Sequence, residues 1–295
     1  MKKEKKNLLY TFLKIGVAVL LLYLVFTKIP FIEIWETLKK ASIFFLFIAV
    51  VSFILSQWIS ADRLLILFKS SGFAISANSN YKLYLIGMFY NFFIPGGIGG
   101  DAYKVFLLNK TFKWSTKKLT ASLFVDRFMG LTAIGILILI YALIIPLFRE
   151  TYLIAGIFLL LIIGITASYL FVQSLFSTFL SDYVKTLMQS ITVQLLQCIC
   201  IISLLSSITE INSYSLYIIV FLISSVLSIF SFSGIGVREM IFYQASSFFQ
   251  FDPVTAVSIG VLFSAITAFV SLFGVVFHFK KATSYLKLKE PITHN

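Results

Sequence analysis

Between Leu8 and Phe279 the chain is a succession of apolar runs. Several reach the roughly 20 residues that a helix needs to cross about 30 Å of hydrocarbon. Few folds satisfy that pattern. Lipid offers backbone amides no hydrogen-bond partner, so only helices and closed barrels span it. The short alternating segments of a barrel are not what this sequence contains. Composition agrees: 12% of residues are charged and 59% are hydrophobic, where a soluble domain carries about 25% charged residues. The pattern predicts an all-α polytopic membrane protein.

Uninterrupted spans are expected at about Leu8–Thr27, Ala41–Ile59, Leu119–Leu147, Thr151–Val172, Leu187–Ile208 and Pro253–Phe279. The first resembles the charged start of a signal peptide. Its apolar stretch is too long, however, and no small-residue cleavage site follows, so it reads as an uncleaved span with Lys14 snorkelling. "KIPFIEIWETLKK", Lys28 to Lys40, is too charged to cross and predicts an interfacial helix around Trp35. Asp252 followed by Pro253 is a helix-start signature.

Two further segments are apolar but broken. Leu83–Leu108 contains "NFFIPGGIGGDAYK", and Tyr214–Phe251 contains "SIFSFSGIGVREMIFY". Gly97 and Gly234 open the similar stretches "GIGGD" and "GIGVRE", 137 positions apart and close to half the chain. Paired glycine and proline interruptions in corresponding halves point to a transporter-like site. Charge bias decides whether the broken segments cross. If each dips and returns, the loop holding Lys110, Lys113, Lys117 and Lys118 lies on the same face as the N-terminal lysines. If each crosses, that loop faces outward, against the positive-inside tendency. The expected architecture is six transmembrane helices plus two re-entrant hairpins. It forms one domain over 1–279, with halves of about 1–148 and 149–279, and a basic cytoplasmic tail over 280–295. Three spans per half give an inverted repeat. Both termini face the cytoplasm, and the cell membrane is the expected location.

Charge within a bilayer is costly and is paired or functional. Asp101 lies near Lys104, Asp126 beside Arg127, and Arg238 beside Glu239, while Asn91 precedes the first turn. Two uses remain open. The acids and bases neutralise each other and pin the hairpins to the spans, or Arg127 and Arg238 hold a phosphate in a polar cavity between the halves, for which the planar guanidinium fork is suited. The glycines at 97, 99, 100, 234 and 236 let the backbone reverse, and the short helices that follow offer their first amides to an anion. Asp101 and Glu239 are alternative caps for those same amides. The candidate substrate-binding set is Asn91, Gly97, Gly99, Gly100, Asp101, Lys104, Asp126, Arg127, Gly234, Gly236, Arg238 and Glu239.

Other functions find little support. The net charge of +12 reads as cationic loops against anionic headgroups rather than nucleic-acid binding, because no soluble basic domain carries it. No P-loop, H-E-x-x-H or G-x-S-x-G occurs. His278 and His294 are peripheral, and Cys198 and Cys200 read as small apolar filler. No catalytic residue, metal site or cofactor is expected.

"FNFFIPGGIGGDAYKVFLL", "ASLFVDRFMGL" and "SGIGVREM" resemble the three signature stretches of the lysylphosphatidylglycerol synthase transmembrane-region family, also called flippase-like membrane proteins. The resemblance covers nearly the whole chain. It implies a module associated with moving a charged phospholipid between leaflets. In the full synthase, a soluble aminoacyltransferase domain follows that module. The sequence is expected to supply the flippase-like part without that chemistry, since the stretch from Lys280 to Asn295 is too short for such a domain. Two positions depart from the family pattern: Lys104 stands where Arg is frequent, and Met240 where Gly is. The function implied is binding and translocation of an anionic lipid headgroup. The alternatives are a membrane component of phosphatidylglycerol lysyltransferase or aminoacyl-phospholipid synthesis, working with a separate transferase, and a structural scaffold. A monomer suffices for two halves in one chain, and a homodimer remains open.

Overall fold

A computed structural model describes residues 31–93, 99–145, 150–209, 214–228, 236–278 and 286–288, with Tyr23, Thr27 and Ser284. Its regular elements are helices: α1 (Phe31–Lys39), α2 (Ile43–Ser70), α3 (Ala77–Phe93), α4 (Gly99–Phe112), α5 (Thr116–Ala142), α6 (Thr151–Leu175), α7 (Tyr183–Ile208), α8 (Ser215–Leu227), α9 (Val237–Phe249) and α10 (Pro253–Leu272). Among the described residues five helices, α2, α5, α6, α7 and α10, are long and apolar enough to cross a membrane. This is a multi-pass helical membrane protein. The expected first span, apart from Tyr23 and Thr27, lies outside the described residues, as do Gly97 and Gly234.

Local chemistry sets the helix boundaries. Asp252 caps α10, its carboxylate accepting from the Thr255 amide at 2.7 Å, with Pro253 at the first position. Gly72, at φ 85°, ends α2 by sending the Phe73 amide back to the Phe68 carbonyl at 2.9 Å, which satisfies a terminal carbonyl that a helix leaves orphaned. Buried serines such as Ser190, Ser203 and Ser207 donate to carbonyls three or four residues earlier, so they enter the core with their hydroxyls satisfied.

The structure corrects the second span. It was expected to stop near Ile59, yet α2 runs on to Ser70 and carries Arg63 into the interior at 5% exposure. Arg63 Nε donates to Asp126 Oδ1 of α5 at 2.8 Å, and its Nη1 donates to Ser190 Oγ of α7 at 2.8 Å. An arginine answered on both sides does not end a helix. The last span keeps close to its expected extent, its apolar stretch running Pro253–Phe277. It has a turn at Phe273–Gly274, where Gly274 lies so close to the Leu85 carbonyl of α3 that a Cβ there would overlap it.

The two glycine-broken segments appear as pairs of short helices. α3 packs on α4, and α8 on α9. With 17, 14, 13 and 13 residues, each is about 20–25 Å long at 1.5 Å per residue, below the hydrocarbon thickness. The first pair meets backbone to backbone. A Cβ at Gly100 would overlap the Gly87 carbonyl, and one at Gly87 would overlap the Lys104 stem. In the second pair Gly236 sits at φ 81° before α9, a conformation that glycine adopts without strain. Each pair is set in its own apolar cluster. Leu64, Phe68, Leu83, Ile86 and Leu108 surround the first, and Phe53, Leu204, Phe221, Phe242 and Ile259 surround the second. Cys198 and Cys200 lie in that second cluster. α2 and α7 pack along each other.

α1 fits the expected amphipathic helix: Ile34 is fully buried against Val257, while Phe31, Ile32 and Trp35 are exposed. Part of the C-terminal stretch packs against the rest of the protein. The Lys287 carbonyl accepts from Ser76 N at 3.1 Å, the Lys287 amide donates to Ser79 Oγ at 2.7 Å, and Leu286 is buried in the first cluster. Residues 286–288 thus strap the base of the first helix pair.

Removing one partner of a buried ion pair costs about 3–5 kcal/mol. Arg63→Met and Asp126→Leu should each destabilise the detergent-solubilised protein by that order, and the double variant should recover most of the loss, read from thermal unfolding. Gly100→Ala should destabilise by about 1–3 kcal/mol or more through overpacking. Gly156→Ala, where a Cβ meets nothing within 4 Å, should be neutral or gain up to about 1 kcal/mol of helix propensity.

Candidate functional site

A cavity of about 550 Å³ opens where α2, α3, α5, α7, α8, α9 and α10 converge. Its polar lining includes Gln57, Asn91, Arg127, Gln194, Ser228 and Arg238. No acidic side chain occurs among its described lining residues. The lining repeats along the chain. Gln57 and Gln194, Met88 and Ser225, Asn91 and Ser228, Gly130 and Thr267, and Ile134 and Ser271 all line it, and each pair is 137 positions apart. That offset is the one separating "GIGGD" from "GIGVRE".

The two cations enter from different elements. Arg127 lies on α5, and its Nε donates to Asp101 Oδ2 of α4 at 2.5 Å. Asp101 also accepts from Lys104 Nζ at 3.2 Å, so one carboxylate answers two bases. Lys104 is buried with its ammonium 4.8 Å from the centre of the Tyr84 ring. It takes no part in the cavity wall. Arg238 lies at the start of α9. It donates from Nη1 to Ser264 Oγ of α10 at 3.2 Å, and its guanidinium sits 4.6 Å from the Phe263 ring centre. Its Nε is buried without a hydrogen-bond partner, and so is Gln194 Oε1 on the same cavity wall. Orphaned buried polar atoms are costly, and two at one cavity mark where a polar ligand or water would be held.

The structure redraws two expected pairings. Asp126 pairs with Arg63, not with its neighbour Arg127. Successive helix positions point about 100° apart at 3.6 residues per turn, so Asp126 faces α2 while Arg127 faces α4 and the cavity. Arg238 and Glu239 are likewise adjacent and are bridged by Ser264. That hydroxyl accepts from Arg238 and donates to Glu239 Oε1 at 2.8 Å. The contacts Asp101–Arg127 and Arg238–Ser264 each join a short helix to the following span, and each spans 26 residues of sequence.

The helix starts are also accounted for. Glu239 Oε2 accepts from the Gly236 amide at 2.6 Å, and Asn91 Oδ1 from the Gly100 amide at 2.8 Å. Of the two proposed caps, Glu239 acts as one. Asp101 instead serves the bases, and Asn91 takes the capping place. Gly99 opens α4 and Gly236 precedes α9. Those two amides are therefore taken, and the cationic groups that line the cavity are Arg127 and Arg238. Among the described residues no group of three or more His, Cys, Asp or Glu is placed to hold a metal ion.

Sequence reasoning missed Arg63, the paired glutamines Gln57 and Gln194, and Ser264. A repeat search at the offset of 137 would have matched the two glutamines. Arg63 carried no comparable signal, because it stands beside Asp62 in what reads as a polar turn.

A comparison with curated proteins returned no match. Residues 11–274 match the family described as the lysylphosphatidylglycerol synthase TM region, a stretch that includes every residue of the cavity lining. The chain therefore belongs to the lysylphosphatidylglycerol synthase transmembrane-region family.

Proposed function

We propose that this protein binds an anionic phospholipid headgroup in the cavity between its two halves and carries it across the bilayer. The observation that carries this reading is the meeting of Arg127 and Arg238 in one acid-free cavity, where Arg238 keeps an unanswered Nε. A guanidinium matches phosphate geometry through parallel N–H bonds. Apolar walls strengthen that attraction and exclude water.

The transport part rests on architecture. Two short, side-by-side helix pairs joined through glycine fit re-entrant hairpins, one entering from each face. The constant offset of 137 among the cavity residues supports an inverted repeat. Such halves rock about a shared central site, and α2 of the first half packs along α7 of the second. The positive-inside tendency places both termini and the lysines between Lys110 and Lys118 in the cytoplasm.

Family membership favours one other reading, a membrane component that presents lipid to a separate aminoacyltransferase. Lipid analysis of expressing cells separates the two. A new aminoacyl-lipid that depends on this protein favours presentation. An unchanged lipid composition with accelerated lipid exchange favours translocation.

In liposomes containing fluorescent phosphatidylglycerol, the purified protein should speed exchange between leaflets. If it is no faster than protein-free liposomes, the proposal fails. Loss of hydrogen bonds to a charged group costs about 1.5–3 kcal/mol. Arg238→Gln should therefore weaken headgroup binding about 10- to 100-fold, and Arg238→Lys less, while the protein stays folded. In intact cells, membrane-impermeant amine reagents should leave Lys110, Lys113, Lys117 and Lys118 unlabelled. Labelling there would overturn the hairpin topology.

A further inference from the structure

Beside the cationic cavity runs a second, apolar one of about 670 Å³ between α5 and α6. Phe128 lines both. Its ring packs on Phe171 of α6 at 4.6 Å between centroids, and Phe171 forms part of the groove wall. The aromatic pair thus stands where the polar space meets the apolar one.

The groove is lined by small residues that packing does not explain. A Cβ at Gly135 of α5 or Gly164 of α6 would meet nothing within 4 Å. Glycine in a helix interior is costly relative to alanine, and in a membrane protein it ordinarily lets helices touch. Here no described residue lies within 4 Å of the place a Cβ would take, and its effect is to widen the groove. The few polar groups in the wall are satisfied by protein partners, Ser168 also sharing a hydrogen bond with the Tyr183 hydroxyl of α7 at 2.5 Å. Thr132 Oγ1 donates to the Phe128 carbonyl at 3.0 Å, and Ser168 Oγ to the Ile165 carbonyl at 2.8 Å. The surface offered to an occupant is therefore hydrocarbon-like. α6 is otherwise sparsely packed, with Leu159, Leu160, Ile162 and Ile163 all exposed.

An anion-attracting cavity joined through one phenylalanine to an apolar groove on the bilayer side has the shape of an amphiphile. We infer that the groove between α5 and α6 holds one hydrocarbon chain of the lipid whose headgroup occupies the cationic cavity, with Phe128 and Phe171 as the gate between chain and headgroup. The inference rests on the proposed headgroup site and adds a lateral entry path. It also restricts the substrate to lipids with a long hydrocarbon chain, so a free phosphate or glycerophosphate would bind weakly.

The test uses the full-length protein in nanodiscs and two probes. One is phosphatidylglycerol with a photoactivatable group midway along a long chain, and the other is a short-chain, soluble phosphatidylglycerol. Gly135→Leu and Gly164→Leu fill the groove, and Gly156→Leu, which also points into open space but lies outside the groove, is the control. Illumination should tag peptides of α5 and α6 around Thr132–Leu139 and Leu160–Phe171. The two groove-filling variants should bind the long-chain probe at least about tenfold more weakly, as a mismatch in a fitted apolar pocket does. Their short-chain binding should be unchanged, and the control should match wild type for both. Equal long-chain affinity in all variants, or adducts confined to other helices, overturns the inference and leaves the headgroup site standing. Absent short-chain binding with groove labelling that Gly164→Leu abolishes removes the headgroup site and leaves the groove. Loss of thermal stability in the groove variants but not in the control would mean that protein, not lipid, covers the groove, and would also overturn the inference.

Discussion

A full charge cannot stay unanswered inside hydrocarbon, and the way each buried charge is answered organises this protein. Arg63 and Asp126 fasten α2 to α5. Asp101 takes both Lys104 and Arg127 and so fastens α4 to α5. Glu239 reaches α10 through the Ser264 hydroxyl. The last two links hold the short helices against the spans that follow them, where packing by dispersion alone would discriminate poorly among rotations of an apolar helix. Arg238 is the exception. It is answered by a hydroxyl and an aromatic face, and its Nε is orphaned.

The glycines act through the same constraint. A broken segment at membrane depth survives only where protein or a wet cavity surrounds it. Gly87 and Gly100 let α3 and α4 approach until backbone meets backbone, and the Lys104 stem crosses over Gly87 to reach Asp101. Without that approach the Asn91 side chain could not reach the Gly100 amide, and the start of α4 would face the interior with open donors. The charge network and the glycine contacts are therefore one arrangement.

Much of this is legible in the sequence because membrane helices carry strong signals. The long apolar runs gave their helices to within a few residues at α5, α6 and α10, and Asp252–Pro253 marked a start that the structure retains. "GIGGD" and "GIGVRE" marked the two short-helix pairs, and Arg127 and Arg238 do share a cavity. What the sequence hid was partnership. Adjacent acids and bases invite pairing on paper, but a helix turns them to different neighbours, so Asp126 found Arg63 and Arg127 found Asp101. Arg63 looked like the end of a span because its compensation comes from residues 63 and 127 positions away. The strap at residues 286–288 was invisible for a related reason: it depends on hydrogen bonds of the Lys287 backbone with the Ser76 amide and the Ser79 hydroxyl, 208 positions or more away, which no local pattern signals.

The repeat is symmetric in position and asymmetric in charge. Asp101 and Arg238 stand 137 positions apart, as do Arg127 and Ser264. In the first half the short helix supplies the acid and the span the base. In the second the short helix supplies the base and the span only a hydroxyl. Two free guanidiniums in a low-dielectric cavity would repel each other by several kcal/mol and, with an anion between them, would hold it too firmly to let go. Asp101 tempers one of the two. In the proposed function Arg127 would contribute to the headgroup site while keeping a resident counter-ion, and Arg238 would exert the stronger pull. A carrier needs such a compromise, because the affinity that captures a headgroup from one leaflet is the barrier to releasing it into the other.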